Sequence, residues 1–200
     1  MDYKVVKAES QEDKARIEHF INDFFFPDNP LTNIFGLEEL PPPPPSPRPP
    51  KADGDFTFMA VDAQGNIVGV AINKASVDHD FGTEVHPKVK KLIEFMDWVE
   101  VEARLDTLPE KTIELRVLAV HREWRRRGVA RRLAEESVRQ AREAGHQAIR
   151  TCCTSEYTAR LARSLGWRQH YCLRYLEYPG DVQLTPQQTH ECIYYYVTDL

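Results

Sequence analysis

Apolar residues along this chain switch repeatedly between a period of two and a period near 3.6. Residues 3–8 read as a short strand. From Ser10 the pattern turns helical, with Ile17, Phe20, Ile21 and Phe24 on one face. Ser10 suits the cap and Asp13 the third helical position, a variant of the capping box. That helix is expected to stop at Pro27, with a second short one over 31–40. Residues 56–62 and 67–73 read as strands joined by Ala63-Gln64-Gly65-Asn66, a hairpin signal. A helix over 87–103 is marked by Val89, Leu92, Ile93, Met96 and Val99. A β-branched strand over 113–120 leads through a basic turn into a helix over 128–144. In that helix Val129, Leu133, Val138 and Ala141 face inward, and Gly145 ends it. The next strand, 147–153, follows a helical crossover and is therefore expected to lie parallel to 113–120. A short helix over 155–164 ends in Leu165-Gly166-Trp167, and strands over 168–178 and 190–198 close the chain. The order β-α-α-β-β-α-β-α-β-α-β-β predicts an α/β fold: a mixed sheet with helices on both faces.

One segment fits neither period. Pro41 to Pro50 holds eight prolines in ten residues, so neither a helix nor a sheet ladder can form and polyproline II is expected. Its PxxP spacing suits an SH3-type partner, but a stiff loop inserted between core elements is the simpler reading. The 200 residues are accordingly expected to form one domain, with this proline-rich insertion at about 41–52.

The strongest chemical signal is the turn after residues 113–120. Arg125-Arg126-Arg127-Gly128-Val129-Ala130 has a basic first position, glycine at the fourth and a small residue at the sixth. Strand, basic glycine turn and helix in that order suit a pyrophosphate. Unpaired N–H groups at a helix start point outward into positive potential. Gly128 permits close approach, and arginines add charge-assisted donors. The segment is neither a Walker loop nor a Rossmann loop, because it lacks Gly-Lys-Ser/Thr and two of three glycines.

Composition narrows the partners. A net charge of −5, from 26 basic and 31 acidic residues, argues against nucleic acid as the ligand of the arginine cluster, and no aromatic stacking platform accompanies it. Cys152, Cys153, Cys172 and Cys192 show no metal-ligand spacing, so free thiols in a reducing compartment are expected, with no metal. The first residues lack an apolar signal core and no run reaches membrane-spanning length, so a cytoplasmic protein without membrane partners is expected. His79, His86, His121 and His170 form no pairing pattern.

The element order, the Arg-x-x-Gly-x-Ala turn and the helix ending Leu-Gly-Trp together resemble the GCN5-related N-acetyltransferase superfamily. Three segments are similar to insect-type arylalkylamine (dopamine) N-acetyltransferases: Phe24-Phe25-Phe26-Pro27-Asp28-Asn29-Pro30-Leu31, Cys153-Thr154-Ser155-Glu156-Tyr157-Thr158-Ala159-Arg160, and His86-Pro87-Lys88. The resemblance implies a mostly antiparallel sheet of about seven strands whose parallel central pair splays apart. It implies acetyl-CoA as the acyl donor. Pantetheine amides would then pair with the backbone of Leu118, Ala119 and Val120. N–H groups and side chains of Arg125, Arg126, Arg127, Gly128, Val129, Ala130 and Arg131 would hold the pyrophosphate. Thr154, Ser155 and Thr158 match positions near the thioester and the pantetheine arm.

Acetyl transfer requires a neutral amine, and alkylamines are ammonium at neutral pH, so a base must take a proton. In the arylalkylamine family that base is a glutamate, and Asn29 stands in its place here. Two replacements remain: Asp28 beside it, and Glu114 six residues before Val120, an offset matching the histone acetyltransferase glutamate. Glu114 is placed ahead, with an ordinary exposed strand carboxylate as the alternative. The superfamily tyrosine that often serves the thiol end is also missing, Ala162 standing near its position, which leaves Thr154 or Thr158 for that role. Cys152 and Cys153 read as small buried residues rather than acyl carriers. Phe25, Phe26, Asn29, Pro30 and Phe35 suit an aromatic acceptor wall, or simply core.

The leading functional expectation is an N-acetyltransferase for a small primary amine such as dopamine, tyramine or serotonin. Polyamine or protein acetylation, and an impaired acyl-CoA-binding protein, are the alternatives.

Overall fold

The computed structural model describes residues 2–40, 54–75, 85–180, 184–185 and 189–200. The proline-rich segment 41–52 and His79 lie outside them. Twelve main elements follow one another in the expected order: β1 (Tyr3–Lys7), α1 (Gln11–Phe24), α2 (Pro30–Ile34), β2 (Phe56–Asp62), β3 (Ile67–Lys74), α3 (Pro87–Glu102), β4 (Thr112–Val120), α4 (Val129–Glu143), β5 (Ala148–Cys153), α5 (Glu156–Ser164), β6 (Arg168–Arg174) and β7 (Cys192–Asp199). The strands form one seven-stranded sheet in the order β1-β2-β3-β4-β5-β7-β6. Every adjacent pair is antiparallel except β4 and β5, which are parallel.

Local chemistry explains most boundaries. At α1 the Ser10 hydroxyl accepts from the Asp13 N–H at 3.0 Å while the Asp13 carboxylate accepts from the Ser10 N–H at 3.2 Å, a reciprocal cap. The β2–β3 turn is closed by Asp62, whose Oδ1 accepts from the amides of Gln64 and Asn66, with Gly65 at φ 85°. Gly145, at φ 79°, ends α4.

Alternation along β2 divides the core between the two faces. Phe56, Phe58 and Ala60 pack with Val129 and Leu133 of α4, whereas Met59 and Val61 pack with Ile17 and Phe20 of α1. A third cluster joins Leu31, Phe35, Phe95 and Val99 to Tyr175 and Tyr195 on the β6–β7 side.

Three expected boundaries need correction. The second helix was expected over 31–40 but stops at Ile34, where Phe35 caps it and Gly36 takes φ 60°. The first helix ends at Phe24 rather than running on to Pro27, with Phe25 as its C-cap. The strand expected over 168–178 ends at Arg174 and gives way to a 3₁₀ turn, Tyr175–Glu177, so that Tyr175 turns inward and is fully buried.

The feature that positions the site is the β4–β5 pair. Its ladder covers only Thr112↔Ala148, Ile113↔Ile149 and Glu114↔Arg150, although β4 continues to Val120 and β5 to Cys153. At the point of divergence the Thr151 hydroxyl donates to the Leu115 carbonyl at 2.9 Å, satisfying a group the ladder abandons. On the other side of β4, Leu115 pairs with Asn73 and Val117 with Ile72, so Arg116 is the extra residue of a bulge. A bulge bends and twists its strand, which carries the end of β4 away from β5.

Candidate active site

β4 delivers the chain through a 3₁₀ turn, Arg122–Trp124, into the start of α4. Two residues there adopt left-handed conformations, Arg126 at φ 62° and Gly128 at φ 81°. Gly128 is the N-cap, and no side chain caps the helix. The first intrahelical bond is Arg132 N–H to the Gly128 carbonyl at 3.0 Å, so the amides of Val129, Ala130 and Arg131 precede the ladder. Apart from its chain neighbours, no atom lies within 4 Å of where a Cβ on Gly128 would sit, so the space beside that residue is open.

The arginines around this turn are divided among tasks. Arg122 and Arg125 both engage the Asp28 carboxylate, Arg122 at 2.9 Å. Arg125 also donates through Nε to the Val120 carbonyl at 3.2 Å. Arg131 reaches α5, donating to the Ser164 carbonyl and hydroxyl at 3.2 and 2.8 Å. Arg127 lies over the Trp124 ring at 5.4 Å. Arg126 makes no ion pair among the described residues.

A narrow cleft with a volume of about 10 Å³ lies between the diverging strands, α4 and α5. Leu115 and Leu118 of β4, Thr151 of β5, Ala134 of α4, Ala162 of α5 and Trp167 are among its walls. Ser155 caps α5 by accepting from the Thr158 N–H at 3.3 Å, and the two hydroxyl oxygens lie 3.1 Å apart. Thr158 lines the cleft, and Ser155 stands beside it at the start of α5, following Thr154 in the chain.

The segment after α1 meets this cleft from the other face of the sheet. Asn29 is the N-cap of α2, its Oδ1 accepting from the Leu31 N–H at 3.1 Å and from the Thr154 hydroxyl at 3.1 Å. Two expected site residues 125 positions apart are thus in direct contact. The Thr154 carbonyl accepts from the Tyr175 hydroxyl at 3.0 Å. His190 accepts through Nδ1 from the Glu156 N–H at 3.3 Å and stands edge-on to Tyr157. Tyr175 and His190 escape sequence reasoning because their roles arise from contacts far along the chain, and neither belongs to a local pattern. Phe25 and Phe26 are half-buried edge to face at 5.5 Å, whereas Pro30 and Phe35 are buried, Phe35 against Phe95.

The two candidate bases occupy opposite ends of the site. Glu114 lies at the root of the divergence with only 5% of its side chain exposed. It pairs with Arg150, its register partner, at 3.1 Å and with Arg116 at 3.5 Å. The Arg150 guanidinium lies 5.8 Å from the Tyr195 ring centre. Arg150 Nη1 and the Tyr195 hydroxyl are both buried without a hydrogen-bond partner. Asp28 instead sits against the basic turn. Burial alone would raise its pKa, but hydrogen bonds from Arg122 and Arg125 reverse this and hold the carboxyl below its usual range. Burial also pushes the Cys152 thiol up to about 12 and the Cys153 thiol well above its ordinary value. Thiols held protonated in this way are poor nucleophiles. No metal-binding group occurs among the described residues, and no helix there is long and apolar enough to cross a membrane.

A parallel strand pair that diverges beside an uncapped helix start defines a class, and comparison with known proteins gives it a name. Residues 19–167 match the model of the acetyltransferase (GNAT) family, and the chain belongs to that family. Its members use acetyl-CoA. Among solved structures, mosquito arylalkylamine N-acetyltransferase-like 5b superposes with a TM-score of 0.79 at 18% identity, covering 100% of both chains. Arylalkylamine N-acetyltransferase 2 from Aedes aegypti gives 0.79 at 21%, covering 100% of this chain and 99% of that one. The polyamine N-acetyltransferase of Drosophila melanogaster, which forms N-acetylagmatine, gives 0.75 at 22%, covering 100% of both. At these identities the likeness is one of fold.

Proposed function

We propose that this chain transfers an acetyl group from acetyl-CoA to a small primary monoamine, with arylalkylamines such as dopamine, tyramine or serotonin as the favoured class. The observation that carries the reading is the divergence of β4 from β5 beside the open start of α4. In this reading the amides of Val129, Ala130 and Arg131 hold the pyrophosphate, together with Arg126, Arg127 and Gly128. The free edge of β4 at Leu118, Ala119 and Val120 aligns the pantetheine arm, and acetyl-CoA when bound supplies an activated thioester. Thr154, Ser155 and Thr158 serve the sulfur end.

The engagement of both nearby carboxylates favours a monoamine over a polyamine. Asp28 is taken by Arg122 and Arg125, and Glu114 by Arg150 and Arg116, so neither is spare for a second cationic group. Half-buried Phe25 and Phe26 suit an aromatic body instead. Asn29 orients the Thr154 hydroxyl and takes no proton. Glu114 receives the amine's proton, directly or through water.

The test is turnover of acetyl-CoA across a panel of arylalkylamines, polyamines and peptide N-termini. With the best amine, Glu114→Gln is expected to lower kcat by about 10²–10⁴, the ordinary range for a general base. Asp28→Asn is expected to raise KM while leaving kcat within about fivefold. Because Glu114→Gln also strands the buried Arg150, melting is followed alongside to separate lost chemistry from lost fold. The opposite pattern moves the base to Asp28, and preference for a diamine rejects the monoamine assignment.

A further inference from the structure

Thr154 is held at two of its atoms by two distant parts of the chain. Its hydroxyl donates to Asn29 Oδ1 at 3.1 Å, and its carbonyl accepts from the Tyr175 hydroxyl at 3.0 Å. It stands just past the end of β5, whose last sheet pair is Cys153↔Tyr194, and just before Ser155, the cap of α5. The sheet ladder therefore does not fix the Thr154 carbonyl, and the Tyr175 hydroxyl supplies that constraint. Tyr175 is itself firmly seated. It is fully buried in the cluster that holds Leu31 of α2 and Phe95 of α3, and its N–H donates to the Glu191 carbonyl at 2.9 Å. Leu31 belongs to the same helix that Asn29 caps, so both grips on Thr154 issue from one packed unit. Burial raises the Tyr175 pKa well above its ordinary value, so the hydroxyl keeps its proton and remains a donor.

We infer that Tyr175 is a positioning residue for acyl transfer: it acts through Thr154, holding that residue's peptide group so that the hydroxyl keeps its place at the sulfur end of the donor. The inference rests on the assignment of Thr154 to the sulfur end made above and names the residue that sets its place. A displacement of about 1 Å in a group that serves the reaction can cost about a hundredfold in rate. Loss of this one bond is therefore expected to appear in turnover and not in affinity for the donor.

Steady-state kinetics of Tyr175→Phe, Thr154→Val and the double variant test it, with melting followed for each and acetyl-CoA affinity measured by calorimetry. Tyr175→Phe is expected to lower kcat about ten- to a hundredfold, while acetyl-CoA affinity and the amine KM stay within about threefold. Thr154→Val is expected to lower kcat at least as far. The double variant is expected to be no slower than Thr154→Val alone, because a residue acting through another then has nothing left to act on. Should Tyr175→Phe not fold, 4-aminophenylalanine at that position keeps a weaker donor in the hydroxyl's place. It is expected to give a smaller loss confined to kcat, and wild-type kcat there overturns the positioning role. Unchanged kcat in Tyr175→Phe, or losses that multiply in the double variant, overturns it as well and leaves the transferase reading standing. Wild-type kcat in Thr154→Val removes Thr154 from the sulfur end, and the inference with it. Failure of the wild type to bind acetyl-CoA overturns the transferase reading itself.

Discussion

Asn29 shows how much a single side chain can be asked to do. Its Oδ1 caps α2 and accepts from Thr154, so it joins two segments that approach from opposite faces of the sheet. Asn29→Ala is expected to destabilise the fold by about 1 kcal/mol, the ordinary cost of a lost N-cap. It also frees the Thr154 hydroxyl to rotate, which is expected to lower kcat more than it raises the KM for acetyl-CoA; steady-state kinetics and denaturant unfolding check the two effects separately. His190 carries a different consequence. Burial lowers its pKa below 6.5, partly offset by the Glu156 charge, and its Nδ1 lone pair is occupied by the Glu156 amide. The unfolded chain therefore binds a proton more readily than the folded one. Stability is full above about pH 6.5 and is lost as the pH falls through the lower folded value. Melting temperatures measured from pH 7.5 down to 5.5 are expected to fall more steeply in the wild type than in His190→Gln.

Among the elements, α4 has the closest seat. A Cβ on Gly69 of β3 would come within 2.8 Å of Val129 Cγ1 and 3.0 Å of Leu133 Cδ1, so glycine lets the first turn of the helix lie directly on the sheet. Gly69→Ala is expected to cost about 1–3 kcal/mol by overpacking and to weaken CoA binding, because the displaced turn carries the open amides. Thermal unfolding and CoA titration together check this, and the comparison variant Gly65→Ala, in the exposed β2–β3 turn, is expected to leave CoA affinity unchanged. The elements were legible from sequence wherever periodicity and caps agreed, as in the Ser10–Asp13 box, the Asp62 turn and the α4 stripe. The end of β6 was lost because a long-range contact decided it. Tyr175 leaves the β6 pattern to reach the Thr154 carbonyl, and no local signal foretells that. The glycine turn that starts α4 was legible in the sequence, but not the diversion of Arg122 and Arg125 to Asp28, which depends on how the segment after α1 folds over the end of β4.

At the scale of the whole molecule, two half-sheets, β1–β4 and β5–β7, meet along three ladder pairs and the Thr151–Leu115 bond. The class of fold could be read from the alternation of strands and helices, since a helical crossover forces β4 and β5 to be parallel. The extent of their divergence could not, because a bulge at Arg116 is invisible to a pattern of apolar residues. Most proteins keep unpaired strand backbone at the outer rim of a sheet, where charge, brevity or a covering loop guards it. This one carries its bare backbone in the interior of the sheet. The β5-facing amides of residues 116–120 are accordingly expected to exchange with deuterium faster than those of the flanking strands, and to become protected on addition of acetyl-CoA. On the proposed reading the donor would stand in for a missing strand, so that the loaded enzyme is expected to be the more completely folded one.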